Sequence, residues 1–368
     1  MKRFNSHLVL LFFVGVARYL AKRALYLSVT FVVASYGVVV IANFGGLVDD
    51  FLISQIRIDT LQQMNNDRSL QLLRQQCPAC WEEEFNRRIN VQIERRGLDE
   101  PFLQKSARQT VDAITLQLGK AISLRTATGS QDLWDLILER LPRTVLLFTT
   151  ATVISAAVGI WLGLRMARRA LSVMDRSLTV ASITTVVVPS WIFGILFLLV
   201  FSFGLKLVPS GGMVSVPAPT EPFSLTLDLG YHLLLPLVTV TISSFGSWSY
   251  VTRNLVLQIM DEDYVTAARS KGLPEKVVLN KHVLRAAAPP IVTSLALALI
   301  ASWTGAIITE LVFNWPGLGR LYWDAILVLD APVIIGLTVV YAFLFVLTIF
   351  ILDVVYSLLD PRIKALGR

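Results

Sequence analysis

Six long apolar runs decide what this chain can fold into. They lie at about residues 24–46, 144–164, 177–205, 232–252, 290–312 and 331–352. Each is near or above the roughly 18 residues that carry a helix across a bilayer. In hydrocarbon every backbone N–H and C=O must be bonded internally, so runs of this length are helical. Composition agrees: the 368 residues are 54% hydrophobic and 16% charged, with a mean hydropathy of +0.63, whereas a soluble domain carries about 25% charged residues. The expected fold is all-α, a polytopic membrane protein with six transmembrane helices.

The formal net charge of +7 raises the question of nucleic acid, and the placement of the 33 Lys and Arg residues answers it. Lys2, Arg3, Arg18, Lys22 and Arg23 precede the first run. Arg165, Arg168, Arg169 and Arg176 lie between the second and third, and Arg253, Arg269, Lys271, Lys276, Lys281 and Arg285 between the fourth and fifth. Arg362, Lys364 and Arg368 follow the last. The alternate short loops hold only Lys206 and Arg320. That alternation is the positive-inside pattern and predicts both termini in the cytoplasm. The basic excess is topological, and no nucleic-acid partner is expected.

The organisation expected is therefore an N-terminal cytoplasmic or interfacial segment 1–23, a first transmembrane helix 24–46, an extracytoplasmic region 47–142, a five-helix core 143–357 and a cytoplasmic tail 358–368. The region 47–142 carries 12 basic and 14 acidic residues, and long translocated segments escape the charge rule. Trp81, Phe85, Ile89 and Ile93, then Val111, Ile114 and Leu118, recur at helical spacing. The region reads as helical, either a docking surface for an external partner or a brace at the outer mouth. Met1-Lys2-Arg3 before the apolar Leu8 to Ala17 resembles a leader. Arg18, Lys22 and Arg23 follow without a cleavage pattern, so a short interfacial helix is expected instead.

Two cysteines stand in the external region as Cys77-Pro78-Ala79-Cys80. Such a pair reads as a redox motif, half a zinc site or a small disulfide. Zinc needs two further ligands, which His7, His232 and His282 do not obviously supply. With no βαβ pattern around the pair, a local disulfide is expected, free thiols being the alternative. No metal is expected. The sequence also lacks a phosphate-binding G-x-x-x-x-G-K-[ST] loop, H-E-x-x-H and G-x-S-x-G, so no ATP site or catalytic centre is expected in this chain. Glu310 and Asp353 are the main ionisable residues of the apolar runs. Carriers driven by ions place charged groups at mid-membrane; their scarcity here predicts that energy enters from outside the chain.

The loop 253–289 shows where. Asp261, Glu262 and Asp263 precede Tyr264-Val265-Thr266-Ala267-Ala268, then Arg269-Ser270-Lys271-Gly272-Leu273-Pro274. Acids favour a helix N-terminus and cations its C-terminus, Gly272 is suited to end the helix and Pro274 stops it. A helix of about two turns is predicted, too short to stand alone, with Ala267 and Ala268 offering a small face to a partner. Glu275 to Ala288 then leads back to Pro289-Pro290 at the membrane.

Asp263-Tyr264-Val265, Ala267 to Leu273, His282-Val283-Leu284-Arg285 and Pro290 resemble the coupling loop of ABC-transporter permeases, of the dipeptide/oligopeptide type. Leu141-Pro142-Arg143-Thr144, Phe313-Asn314-Trp315-Pro316-Gly317-Leu318-Gly319-Arg320, and Asp353-Val354-Val355-Tyr356 with Leu359-Asp360-Pro361-Arg362 agree. The likeness covers about residues 18–46 and 119–365. Thr266 stands where the general loop has Glu, as is usual in the peptide-type branch, and the external region is enlarged. The resemblance implies a non-catalytic permease subunit in the cell membrane, pairing with a second homologous permease. It also implies two ABC ATPase subunits carrying ATP and Mg, an extracytoplasmic solute-binding protein and a peptide substrate. In that reading Ala267, Ala268 and Gly272 permit close docking, Arg269 and Lys271 add charge contacts, Tyr264 and Leu273 anchor the lever, and Asp263 belongs to the same coupling site.

For the substrate pathway the candidates are Pro189, Ser190 and Trp191, which break the third run, Thr241 in the fourth, and Trp303 and Glu310 in the fifth. The Ser and Thr residues serve equally as interhelical packing. Oligosaccharides or metal chelates are alternative cargoes, and a stand-alone channel or secondary carrier is the alternative of a different class.

Overall fold

The computed structural model describes residues 4–44, 46–95 and 97–359. Among them the regular structure is helical apart from one isolated antiparallel bridge, Lys120 to Asp132. Met1, Lys2, Arg3, the Asp360-Pro361-Arg362 match and most of the expected tail 358–368 lie outside the described residues.

The first helix, α1 (Phe4–Asn43), runs 40 residues without a break. At 1.5 Å per residue that is about 60 Å, twice the hydrocarbon core. The stretch before the first run is thus an extension of the spanning helix, and the separate interfacial helix expected there is not formed. Gly46 turns the chain in a left-handed conformation, φ 72°, into α2 (Leu47–Asn66), α3 (Arg68–Gln76), α4 (Pro78–Arg95) and α5 (Phe102–Ile114). The expectation of a helical region holds. Asp67 caps α3 through the Ser69 N–H at 2.9 Å. Arg88 and Arg87 on α4 hold the Glu84 carboxyl below the usual carboxylate range. A disulfide joins Cys77 and Cys80 across the α3–α4 corner, with Cα atoms 5.3 Å apart.

Long-range contacts fasten this region to the spans. Asn43 at the end of α1 donates to Gln109 Oε1 at 2.6 Å, and the buried Lys105 pairs with Asp49. Asp330 is buried and accepts the backbone N–H groups of Ile122, Ser123 and Leu124 at 2.8–3.2 Å. One carboxylate therefore ties the loop after α5 to the last helix.

The core begins at α6 (Leu133–Arg168), whose N-cap Asp132 accepts the Trp134 N–H at 2.9 Å. Residues 133–142, expected to end the external region, are its first turns. α7 (Val173–Val187) and α8 (Ser190–Phe197), continued by a π-helical stretch Leu198–Gly204, follow. The two arms meet at 98°, so the span 177–205 is broken at Pro189, where the sequence places the break. α9 (Pro222–Met260) is a single helix through Pro236. Next come α10 (Asp263–Ser270), α11 (Glu275–Val277), a π-helical turn Val278–Val283 and α12 (Leu284–Ala301). Pro289 and Pro290 lie inside α12 and not at its entrance. A turn of 3-10 helix, Ser302–Thr304, ends this span at Gly305, φ 65°. The expected fifth span 290–312 is accordingly cut short, and α13 (Ile307–Val312) is a separate element. α14 (Leu318–Leu327) and α15 (Ala331–Leu359) complete the chain.

Among the described residues five helices are long and apolar enough to cross a membrane, or six if the bent pair counts as one span. Close packing of α6 on α9 depends on small residues. A Cβ on Gly159 would lie 2.3 Å from Trp248 Cβ, and one on Gly163 2.5 Å from the Ser249 carbonyl. α7 is locked to α9 by Ser182–Ser249, Oγ to Oγ 2.7 Å. A buried fork adds to this lock: Arg253 Nε to Asp175 Oδ1 at 2.5 Å and Nη2 to Oδ2 at 2.7 Å. Arg253, counted in sequence as a topological charge, is a structural ion. Asp353 likewise pairs with Arg23, 2.5 Å, joining α15 to α1.

Candidate functional site

α10 sits where the ends of α6 and α9 and the beginning of α12 converge. Val265 and Ala268, one turn apart on the same face, are buried with Ala167, Val256, Val278, Val283 and Ala287. That apolar seat explains how a two-turn helix holds its shape without intrinsic stability. It also corrects one role: Ala268 makes its close approach to this chain's own α9 and π-helical turn, and only Ala267 of the alanine pair is exposed. Gly272 follows α10 with φ 75° and donates its N–H to the Arg269 carbonyl at 2.9 Å. A Cβ there would meet nothing within 4 Å. What requires glycine in this chain is the left-handed backbone, not crowding.

Arg269 is exposed but engaged within the loop. Its guanidinium reaches Glu275 Oε1 at 3.0 Å and the Met260 carbonyl at 3.4 Å, clamping both ends of the loop. The face left open carries Asp263, Tyr264, Ala267, Lys271 and Leu273, all exposed. Tyr264, Ala267 and Lys271 follow at i, i+3 and i+7, one stripe of the helix surface. Of the sequence candidates only Ala268 belongs to the buried seat; Arg269 and Gly272 shape the loop from its exposed side, and the others form the free face.

At the opposite end of the core, Glu310 on α13 is fully buried. It accepts a hydrogen bond from Thr144 Oγ1 at 2.8 Å and from the Arg320 N–H at 2.9 Å. Thr144 Oγ1 in turn accepts the Leu318 N–H at 2.8 Å. The carboxylate therefore closes the amino end of α14, where unpaired N–H groups and the helix dipole favour negative charge. Glycines make room for it: a Cβ on Gly317 would lie 2.4 Å from both Glu310 Oε1 and Thr144 Oγ1. Trp315, also fully buried, donates from Nε1 to the Arg143 carbonyl at 3.0 Å. The Leu141–Thr144 and Phe313–Arg320 segments, far apart in sequence, meet as one knot.

The pathway candidates do not form one lining. Ser190, the first residue after the Pro189 break, meets Thr309 at 3.0 Å between hydroxyl oxygens, so the bend in the third span rests on α13 next to Glu310. Trp191 is half-buried. Trp303 packs against the cluster of Leu133, Leu136, Leu318 and Leu337, a structural position. The Thr241 hydroxyl is buried without a hydrogen-bond partner in the structure, and so is that of Thr239. In the sequence Thr144 and Trp315 stand out only as letters of their motifs. The signal that could have found them is that a polar letter opens one apolar run while a buried acid ends another. Among the described residues no group of three or more His, Cys, Asp or Glu is placed to hold a metal ion.

Comparison with known proteins fits this arrangement. Residues 159–365 match the family of binding-protein-dependent transport system inner membrane components. The chain is 32% identical over 272 residues to the oligopeptide transport system permease protein AppB of Bacillus subtilis, covering 74% of this chain and 84% of that one. A putative peptide permease protein of Brucella suis is 35% identical over 268 residues, 73% and 82% of the two chains. A probable peptide ABC transporter permease protein of Sinorhizobium fredii is 31% identical over 271 residues, 74% and 83%. With its several apolar helices, a matching domain over more than half its length and relatives aligned over most of theirs, the chain belongs to the binding-protein-dependent transport system inner membrane components, multi-pass permeases of the ABC type.

Proposed function

We propose that this chain is a membrane subunit of an ATP-driven importer that takes up peptides delivered by an extracytoplasmic solute-binding protein. Both termini and α10 face the cytoplasm, and the α2–α5 region faces outward. A second homologous permease completes the membrane pore, and two ABC ATPase subunits supply ATP and Mg at their own sites. The observation carrying this reading is the seat of α10. A helix wedged by Val265 and Ala268 between the ends of three core helices transmits a push to all of them, while its open face is free for another protein. Closure of the ATPase pair then displaces α10 and tilts the core between inward- and outward-facing packings. The names of the relatives support peptides as cargo, and the long external region, rich in both charge signs, suits a delivering protein.

The experiment is reconstitution of the complex and measurement of ATP hydrolysis with the binding protein, loaded in parallel with peptides, oligosaccharides or metal chelates. Peptide-loaded binding protein should stimulate hydrolysis and drive uptake. Gly272→Val forces a β-branched residue into a left-handed backbone, a strain of roughly 1–2 kcal/mol, and should abolish stimulation while membrane insertion persists. Uptake by the chain without ATPases, or normal coupling in that variant, would refute the proposal.

A further inference from the structure

Three arginines at the end of α6 are used by nothing described so far. Arg165, Arg168 and Arg169 line, together with Met174, a pocket of about 350 Å3. All three are exposed, and among the described residues no carboxylate pairs with them. The acid that opens α7 is not available: Asp175 accepts two bonds from Arg253 and the Leu171 N–H at 2.9 Å. The carboxyl end of α6 offers only about half a negative elementary charge, which balances one guanidinium at most. Three like charges around one cavity repel each other, and an anion entering it relieves that repulsion.

The surroundings say which anion. The Arg165 guanidinium lies over the Trp161 ring, 3.8 Å from its centroid. Trp161 is itself 51% exposed at the end of a spanning helix, the position where tryptophans mark headgroup depth. Ile154, Val158, Trp161 and Arg165 follow at i, i+4, i+7 and i+11, and the first three are exposed, so an uncovered apolar stripe runs up α6 into the pocket. A site with an apolar track below and guanidinium forks above matches an amphiphile whose head is a phosphodiester. Arginine suits that head because its planar fork bonds two phosphate oxygens at once.

We propose that the pocket of Arg165, Arg168 and Arg169 holds the headgroup of an anionic phospholipid whose acyl chain lies along Ile154, Val158 and Trp161. The site goes beyond the transport reading and does not depend on it. Basic pockets beside spanning helices gain free energy with each Lys or Arg near the anionic surface. The lipid also wedges the end of α6 next to the seat of α10.

The test uses the purified full chain, with its partner subunits, in nanodiscs of phosphatidylcholine with and without phosphatidylglycerol, reading tightly retained lipid by native mass spectrometry. The wild type should retain phosphatidylglycerol and not phosphatidylcholine. Arg168→Gln/Arg169→Gln should lower that retention by about tenfold or more. Should that variant fail to insert, Met174→Glu keeps every arginine, sets a carboxylate at the pocket wall and should give the same loss. Equal retention in wild type and variants would overturn the proposal. So would displacement of the lipid by millimolar inorganic phosphate, which would make this a soluble-anion site. Loss of the ATPase subunits from the variants with lipid retention intact would assign the arginines to protein docking instead.

Discussion

At the scale of single residues, the outer knot depends on atoms that sequence could not bring together. Glu310 is legible as the rare acid of an apolar run, and an intramembrane charge points to a group on the substrate path. Its partner Thr144 lies 166 positions away, and no local pattern announces such a pairing. The geometry makes the knot testable. Thr144→Val removes both the donor to Glu310 and the acceptor of the Leu318 N–H, leaving two buried groups unpaired at about 1–3 kcal/mol each. The melting temperature of the detergent-solubilised protein should fall clearly, and Thr144→Ser, which keeps the oxygen, should restore most of it. A Thr144→Val protein as stable as wild type would mean that water replaces the hydroxyl. Arg253 makes the same point more strongly. Its side chain is 16% exposed and that of Asp175 1%, so Arg253→Ala strands a buried carboxylate and should cost about 3–5 kcal/mol, read as a loss of folded protein after solubilisation. Replacing both by apolar residues of similar volume should recover most of that loss.

Elements were legible wherever their signals are local. The caps of α10 lie within the loop itself, and the predicted two turns match the observed Asp263–Ser270. Pro189 announces the break in the third span, though neither its 98° angle nor the contact of Ser190 with Thr309 on the distant α13. The fifth span misled because its apolar pattern continues past Gly305, and hydropathy is blind to a backbone that turns at φ 65°. Nor does a stripe of alanines tell which face of a helix is turned inward; only the packing of Val265 and Ala268 shows it. That distinction separates two variants of α10. Val265→Asp buries a charge in the seat and should unseat the helix, with the loss read as a faster exchange of amide hydrogens in 261–273. Lys271→Ala alters only the exposed face and should leave that exchange unchanged. If α10 instead hung free in solution, the two variants would exchange alike.

For the whole molecule, the arrangement of ends is the strongest joint product of sequence and structure. Arg23 with Asp353, Asp175 with Arg253, and the α10 seat built from Ala167, Val256 and Ala287 join the middle of α1 to the last turns of α15, and bring the loops α6–α7, α9–α10 and α11–α12 together. These are the segments in which the sequence concentrates Lys and Arg. Asp330 and Gln109 hold α2–α5 at the other ends of α1 and α15. Charge bias predicts sidedness but contains no contacts; the contacts group the ends but contain no membrane. Together they predict opposite access for the two groups. The native cysteines are joined, so single introduced thiols report cleanly. Ser69→Cys on α3 should react with an impermeant maleimide in cells whose cytoplasmic membrane is intact, once the reagent has access to its outer face. Ser270→Cys at the end of α10 should react only after that membrane is permeabilised. The reverse pattern would invert the topology and put the α10 face beyond the reach of any cytoplasmic ATPase, so this labelling experiment decides whether the proposed coupling is geometrically available at all.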